Sequence, residues 1–419
     1  MLNFIVDILS TPAILVGLVA MIGLIALKKP ASEIIKGTIK TIMGFLILGG
    51  GAGIVVGALD SFGIMFQQGF GISGIVPNNE AIVAQALQEL GTQTALIMAF
   101  GMVANVIIAR FTPLKYIFLT GHHTLYMACM IAVILVAGGI EGVALIVIGS
   151  ILLGFIMVLS PAILQSSMKK ITGTDEIALG HFSGVGYWLS AQVGKLVGKG
   201  SKSTEEMEFP KWLLFMRDTS VAISLTMGVL YIIVAIAAGP TFVQTELSDG
   251  TNFLVFSIIK AITFAGGVYV ILAGVRLVLG EIVPAFRGIA NKLVPHAKPA
   301  LDCPVVFPYA PNAVIIGFLS SFVGGLLGMA ILILFKAPVI LPGVVPHFFT
   351  GATAGVFGNA TGGRRGAILG SIANGLLITF LPVLLMPVLG NFGFANTTFS
   401  DSDFGIVGIL LGNVIALFK

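Results

Sequence analysis

The chain has 419 residues, 57% of them hydrophobic and only 10% charged, and its mean hydropathy is +1.07. A soluble domain carries about a quarter of its residues charged, so this composition excludes one. It also excludes disorder, which needs low hydrophobicity, and a disulfide scaffold, which two cysteines do not build.

Apolar stretches recur along the whole length, the pattern of an all-α polytopic membrane protein. The first, 4–27, has no basic residue ahead of it and is followed at once by Lys28 and Lys29. That is the reverse of a signal peptide, so it reads as a retained span with the N-terminus outside. All but two of the 22 basic residues, Lys260 and Lys336, fall in clusters at 28–40, 110–115, 169–217, 276–298, 364–365 and 419. The stretches between them hold mostly acids: Asp60, Glu80, Glu89, Glu141, Glu246, Asp249, Asp401 and Asp403. Placing every basic cluster in the cytoplasm predicts about eleven alternating transmembrane helices. They fall at 4–27, 41–59, 93–109, 116–140, 143–168, 219–242, 252–275, 312–335, 338–360, 366–390 and 404–418, with a cytoplasmic C-terminus. The positive-inside rule thus accounts for the basic face without any nucleic acid.

The most polar stretch, 200–211, lies in the long basic segment and predicts a division into a first half (1–199), a cytoplasmic linker (200–218) and a second half (219–419). Pro77-Asn78 answers Pro311-Asn312, and Thr120-Gly121 answers Thr350-Gly351, each pair on spans of opposite direction. Five spans repeated upside down are a carrier architecture, with substrate held at the repeat interface near mid-membrane.

Segments 69–84, 177–193 and 299–312 are too irregular for spans and too apolar for ordinary loops. Irregular backbone at membrane depth is tolerated where it is buried or lines a wet cavity, so they are expected as re-entrant hairpins or broken helices; interfacial loops are the alternative. They carry Asn79 and Glu80, His181, and Asp302, while His122, His123 and Tyr126 sit in the fourth span. An ionisable residue at a helix centre costs about 2.5–3.5 kcal/mol on insertion scales, so these residues are the candidates for a substrate site. Carboxylates and imidazoles accept and donate at fixed directions, which suits hydroxyl-rich ligands. His123 and His347 read equally well as interhelical hydrogen bonds. There is no phosphate-binding loop and no G-x-S-x-G elbow, so no enzyme, cofactor or self-powered pump is expected. Cys129 and Cys303 lack metal spacing, and five histidines on separate segments do not spell a metal site.

KGTIKTIMGF (36–45), LTGHHTLYMA (119–128), ALGHFSGVGYW (178–188) and GVRLVLGEIVPAFRGIANKLVP (274–295) resemble one family. So do DCPVVFPYAPNAVIIGF (302–318), LPGVVPHFF (341–349) and GVFGNATGGRRGA (355–367). Nearly the whole chain resembles, in order, the membrane component (enzyme IIC) of the L-ascorbate family of the bacterial phosphoenolpyruvate-dependent phosphotransferase system. The resemblance implies an eleven-span inner-membrane carrier of inverted repeats, working as a homodimer with a fixed scaffold and an elevator-like core. It implies that a separate enzyme IIB, recharged by IIA, phosphorylates the substrate on arrival, so the carrier itself is no enzyme and needs no nucleotide or metal. No soluble IIA or IIB domain is evident in the chain, so both are expected as separate proteins. By the same resemblance His122, His181 and Asp302 match cavity-lining positions. Where the enteric ascorbate carriers have Tyr and Gln, this chain has Glu80 and Tyr126, and Phe182-Ser183-Gly184 replaces a Gln-rich run. The expected substrate is therefore L-ascorbate or a related sugar or polyol. The alternative is an ion-coupled carrier using Glu80 and Asp302 as ion sites.

Overall fold

A computed structural model describes residues 12–72, 74–208, 215, 218–391 and 397–417. The start of the first expected span, most of the second part of the linker, and Lys419 lie outside the described residues. The helices are α1 (Pro12–Ala26), α2 (Ala31–Phe70), α3 (Asn79–Phe111), α4 (Gly121–Ala137), α5 (Gly142–Thr172) and α6 (Gly184–Val197). They continue as α7 (Thr219–Ala238), α8 (Phe253–Leu293), α9 (Pro311–Leu334), α10 (Val344–Leu385) and α11 (Ser402–Ala416). Among the described residues, six of them, α3, α5 and α7 to α10, are long and apolar enough to cross a membrane, and α4 and α11 are shorter apolar helices. The molecule is an all-α multi-pass membrane protein.

Helices and expected spans do not correspond one to one. α10 takes in two of them, 338–360 and 366–390, because it folds back on itself at Gly362 (φ −146°, ψ 15°) and Gly363 (φ 56°, ψ −147°). Ser371 Oγ donates to Gly351 O at 3.3 Å across the fold, and Asn374 Nδ2 to Thr350 Oγ1 at 3.1 Å. Close approach needs glycine here: a side chain on Gly358 would strike the Gly366 carbonyl. Spans expected at 116–140 and 338–360 begin with strands, since a short apolar run does not by itself distinguish strand from helix.

Each of the three irregular segments contains a short strand that leads into a helical segment, and three more strands occur elsewhere among the described residues. β1 (Gly74–Pro77) pairs in parallel with β5 (Val339–Ile340) and β6 (Thr397–Thr398). β4 (Lys298–Leu301) pairs in parallel with β2 (Tyr116–Phe118) and β3 (Ala178–Leu179). Extended backbone inside a bilayer has no water to satisfy it, and these two small sheets supply the missing hydrogen bonds. Their composition is reciprocal: each sheet centres on a strand from one side of the linker and flanks it with two from the other.

α1, α2, α7 and α8 pack on one another as one group, while α6 and α9 pack on α10, and α4 and α5 on α3. A hydrophobic cluster that includes Met65, Tyr231, Phe264 and Phe348 joins the first group to the α9–α10 pair.

The polar stretch after residue 200 is a folded strap. Glu205 Oε1 accepts from Asn312 N and Ala313 N, both at 3.0 Å, and so caps the orphan amides at the start of α9. Thr204 N donates to Asn359 Oδ1 at 2.9 Å, and Arg364 N to Lys202 O at 2.8 Å, beside the Gly362–Gly363 fold. Asp401 and Asp403, grouped by sequence with the acids outside the membrane, are only 4% and 6% exposed. Asp403 accepts from Ser160 Oγ and Val185 N, both at 2.9 Å, which supplies what solvent would otherwise give it.

Candidate functional site: a cavity at six strand–helix junctions

Strands within each sheet run parallel, so their ends fall together, and every one of the six delivers residues to a single cavity. β1 leads to Asn79 and Glu80, β2 to His122 and His123, and β3 to His181. β4 leads to Asp302 and Cys303, β5 to Val345 and Pro346, and β6 to Ser400 and Asp401; Tyr126 and Phe349 complete the wall. The cavity is narrow, with a volume of about 40 Å³.

At the ends of β1 and β6 the polar groups satisfy one another. Asn78 Oδ1 accepts from Ala81 N at 2.8 Å and caps α3. Asn79 Nδ2 donates to Asp401 Oδ1 at 2.9 Å, and Asn79 Oδ1 accepts from Ser400 N at 2.9 Å. Ser400 Oγ donates to the same Asp401 oxygen at 2.7 Å.

The ends of β2, β3 and β4 are arranged differently. His122 Nε2 stands 3.7 Å from Asp302 Oδ2, and His181 Nε2 stands 4.0 Å from Asp302 Oδ1, both beyond hydrogen-bond length. His122 Nδ1 is buried without a partner among the described residues. Asp302 Oδ1 accepts from Cys303 N at 2.7 Å and caps the turn that follows. His123 Nδ1 accepts from Phe182 N at 3.3 Å, so a neutral His123 carries its proton on Nε2, facing Asp401 Oδ2 at 4.0 Å. His181 lies against His123, ring centroids 3.8 Å apart, with its Nδ1 2.8 Å from Tyr187 OH.

All six residues singled out in the sequence, Asn79, Glu80, His122, Tyr126, His181 and Asp302, line this one cavity. Three of the five histidines, separated in sequence, converge here as well. His123–His181–Asp401 and His122–His123–Asp302 each bring three ligand-type atoms within 4.8 Å. Their nitrogen–oxygen separations of 3.7–4.0 Å exceed the ~3.3 Å edge of a tetrahedral zinc site, so the set is better spaced for hydroxyl groups lying between acceptors and donors. His347 is an interhelical contact, with its Nδ1 2.9 Å from Ser321 Oγ.

The sequence reading missed Asp401, Ser400, Cys303 and the apolar wall of Val345, Pro346 and Phe349. Cys303, noted in the sequence only for its lack of metal spacing, is 1% exposed and lines the cavity beside Asp302.

Fold and site together define a multi-pass membrane protein with an ionisable cavity assembled from distant parts of its chain. Residues 7–403 match the family model described as EIIC-GAT, PTS system sugar-specific permease component, and the chain belongs to that family. It is 28% identical over 417 residues to the ascorbate-specific PTS system EIIC component of Mycoplasma pneumoniae, an alignment covering 87% of this chain and 63% of that protein. The chain therefore spans less than two thirds of the length of this curated relative.

Proposed function

We propose that the protein is a sugar permease of the phosphotransferase system, which translocates L-ascorbate or a related sugar or polyol across the bacterial inner membrane. A separate enzyme IIB, recharged by IIA, phosphorylates the substrate at the cytoplasmic face and so makes uptake irreversible. The observation that carries this reading is the convergence of six strand ends from both sides of the linker on one polar cavity. In this reading the chain is two inverted halves, 1–199 and 219–419, and substrate is bound by Asn79, Glu80, His122, Tyr126, His181 and Asp302. The reciprocal make-up of the two sheets supports such a repeat.

Alternating access is elevator-like. The packed group α1, α2, α7 and α8 serves as the scaffold and homodimer platform, and the site-bearing helices form the moving core; the packing of α1, α2, α7 and α8 on one another as one group supports that division. The N-terminus is external and the C-terminus cytoplasmic, following the basic clusters. The test is uptake and phosphorylation in vesicles with and without IIB and phosphorylated IIA. Accumulation of phosphorylated sugar only with both partners supports the permease. Accumulation driven by an imposed ion gradient without them favours instead an ion-coupled carrier that uses Glu80 and Asp302.

A further inference from the structure

The helices that follow β3 and β6, one strand from each sheet and one from each side of the linker, start against each other. Ser402 N donates to Ser183 Oγ at 3.3 Å, and Gly186 N donates to Ser402 Oγ at 3.0 Å. Asp403 N donates to Phe182 O at 3.0 Å, and Asp403 Oδ1 accepts from Val185 N at 2.9 Å. Asp403 Oδ2 accepts from Ser160 Oγ of α5, also at 2.9 Å. Residues 182–186 and 402–403 are thus clasped through backbone and side chains together. The approach leaves no room for a side chain on Gly184, which would meet Ser160 Oγ and Asp403 Oδ2.

Ser160, Ser183, Ser402 and Asp403 are all buried, and none of them lines the cavity. The residues just ahead of the two clasped stretches do line it: His181 precedes Phe182, and Asp401 precedes Ser402. His181 Nδ1 stands 3.7 Å from Asp401 Oδ2, beyond hydrogen-bond length, so a bond between the two does not set their spacing. The clasp one residue further along does. Asp401 is itself tied to Asn79 and Ser400, so the clasp carries the bonded end of one sheet across to the histidine end of the other. It also reaches His123. Phe182 N donates to His123 Nδ1 at 3.3 Å, and the Phe404 ring lies parallel to the His123 ring, centroids 5.8 Å apart.

Resting on the sugar-permease reading, we propose that Asp403 is a positioning residue for substrate binding. From behind the cavity wall it fixes the spacing of His181 and Asp401, and with it the seat of the His123 ring. The role is one of hydrogen-bond geometry. An oxygen must accept from Val185 N, whereas the Ser160 hydroxyl both donates and accepts. Asp403→Asn therefore keeps the clasp, with its amide donating to Ser160 Oγ, and Asp403→Ala removes it.

The test uses the full chain purified in detergent, with histidines labelled for imidazole NMR and assigned from single His→Gln variants. L-ascorbate, xylitol and D-sorbitol are titrated as probes. Asp403→Ala is expected to shift the His181 and His123 signals and to leave that of His347, which Ser321 holds, in place. It is also expected to weaken the probe that the wild-type chain binds by ~10-fold, the equivalent of one hydrogen bond lost. Asp403→Asn is expected to restore both readouts. Should Asp403→Ala not purify folded, Ser402→Ala, which deletes the contacts to Gly186 N and Ser183 Oγ, is read the same way. A lowered melting temperature with the His181 signal and the affinity unchanged would make Asp403 a support of α6 alone and overturn the proposal. So would an Asp403→Asn chain that fails as Asp403→Ala does, since charge and not geometry would then be at work. If the wild-type chain binds none of the probes, the sugar-permease reading fails, and the imidazole signals still decide whether Asp403 sets the spacing.

Discussion

The sheet β5-β1-β6 delivers Asn79, Ser400 and Asp401 already joined by hydrogen bonds of 2.7–2.9 Å, whereas β2-β4-β3 delivers His122, His181 and Asp302 at separations of 3.7–4.0 Å. Both sheets use the same device, short parallel strands that stop at one cavity. One end is closed on itself and rigid; the other holds polar atoms that a third group must satisfy. Rigid support and ligand contact are thus divided between the two sheets, an arrangement that keeps the binding atoms placed without requiring them to bond one another.

If the second sheet carries the ligand contacts, His122→Ala and Asp302→Asn should each reduce sugar uptake by ~100-fold or more, the cost of leaving polar groups unpaired in a site built for them. Thermal stability without ligand should change little. His122 Nδ1 has no hydrogen bond to lose among the described residues, and an asparagine side chain in place of Asp302 keeps an oxygen that accepts from Cys303 N. Membrane insertion measured beside uptake separates the two effects. Normal uptake by both variants would move the contacts to the first sheet and break the comparison.

The converse holds for Asn79→Ala. It strips one partner from Asp401 and leaves Ser400 N without an acceptor, at a cost of about 1–3 kcal/mol for each buried group. A lowered melting temperature in the absence of any sugar is therefore expected, together with weaker binding. Unchanged stability would mean that the network is not the support assigned to it.

Tyr187→Phe tests the contact that anchors His181 at the second sheet. Loss of the 2.8 Å contact frees the His181 ring and leaves its Nδ1 unsatisfied, worth about 1 kcal/mol. Affinity should fall several-fold while uptake persists, and a histidine imidazole NMR signal should shift. An unperturbed signal would place the anchor elsewhere.

The contrast also explains what could be read from the sequence. Glu80, His122, His181 and Asp302 were legible because an ionisable residue in an apolar surround has a cost that demands a reason. Asp401 shows the same chemistry, yet it falls among Asp403, Ser400 and Ser402, where a polar local composition looks like an exterior loop. Only the pairing of Thr397–Thr398 with Val76–Pro77 carries it to Asn79. The strands were hidden for a related reason. Two to four apolar residues have no period of their own, and their partners lie as much as 321 positions away, as Thr397 Oγ1 does from Val76 O. The polar strap from Ser201 was legible by composition, but its capping of α9 was not, because Glu205 and Asn312 are 107 residues apart.

The smallest expected effect concerns the outer end of the second sheet. Asp175 is 2.8 Å from Lys169 Nζ and 2.7 Å from Lys298 Nζ, so it ties the end of α5 to the first residue of β4. Hydrogen bonds from Lys169, then Lys298 and Gln165, hold its carboxyl well below the usual carboxylate range. A carboxylate with a depressed folded-state value contributes stability that is fully present above its unfolded value of about 3.9 and is lost as pH falls through the folded one. Asp175→Asn should accordingly lower the melting temperature by a small, constant amount from neutral pH down to about pH 5, with the difference closing only below about pH 4. The pairs are exposed enough for salt to screen them, so the difference should also shrink at high ionic strength. A difference that instead grew on acidification would show that Asp175 is not the group holding β4 in place. The second sheet would then owe its position to the helices alone, and its loose end at the cavity would be matched by a loose end outside.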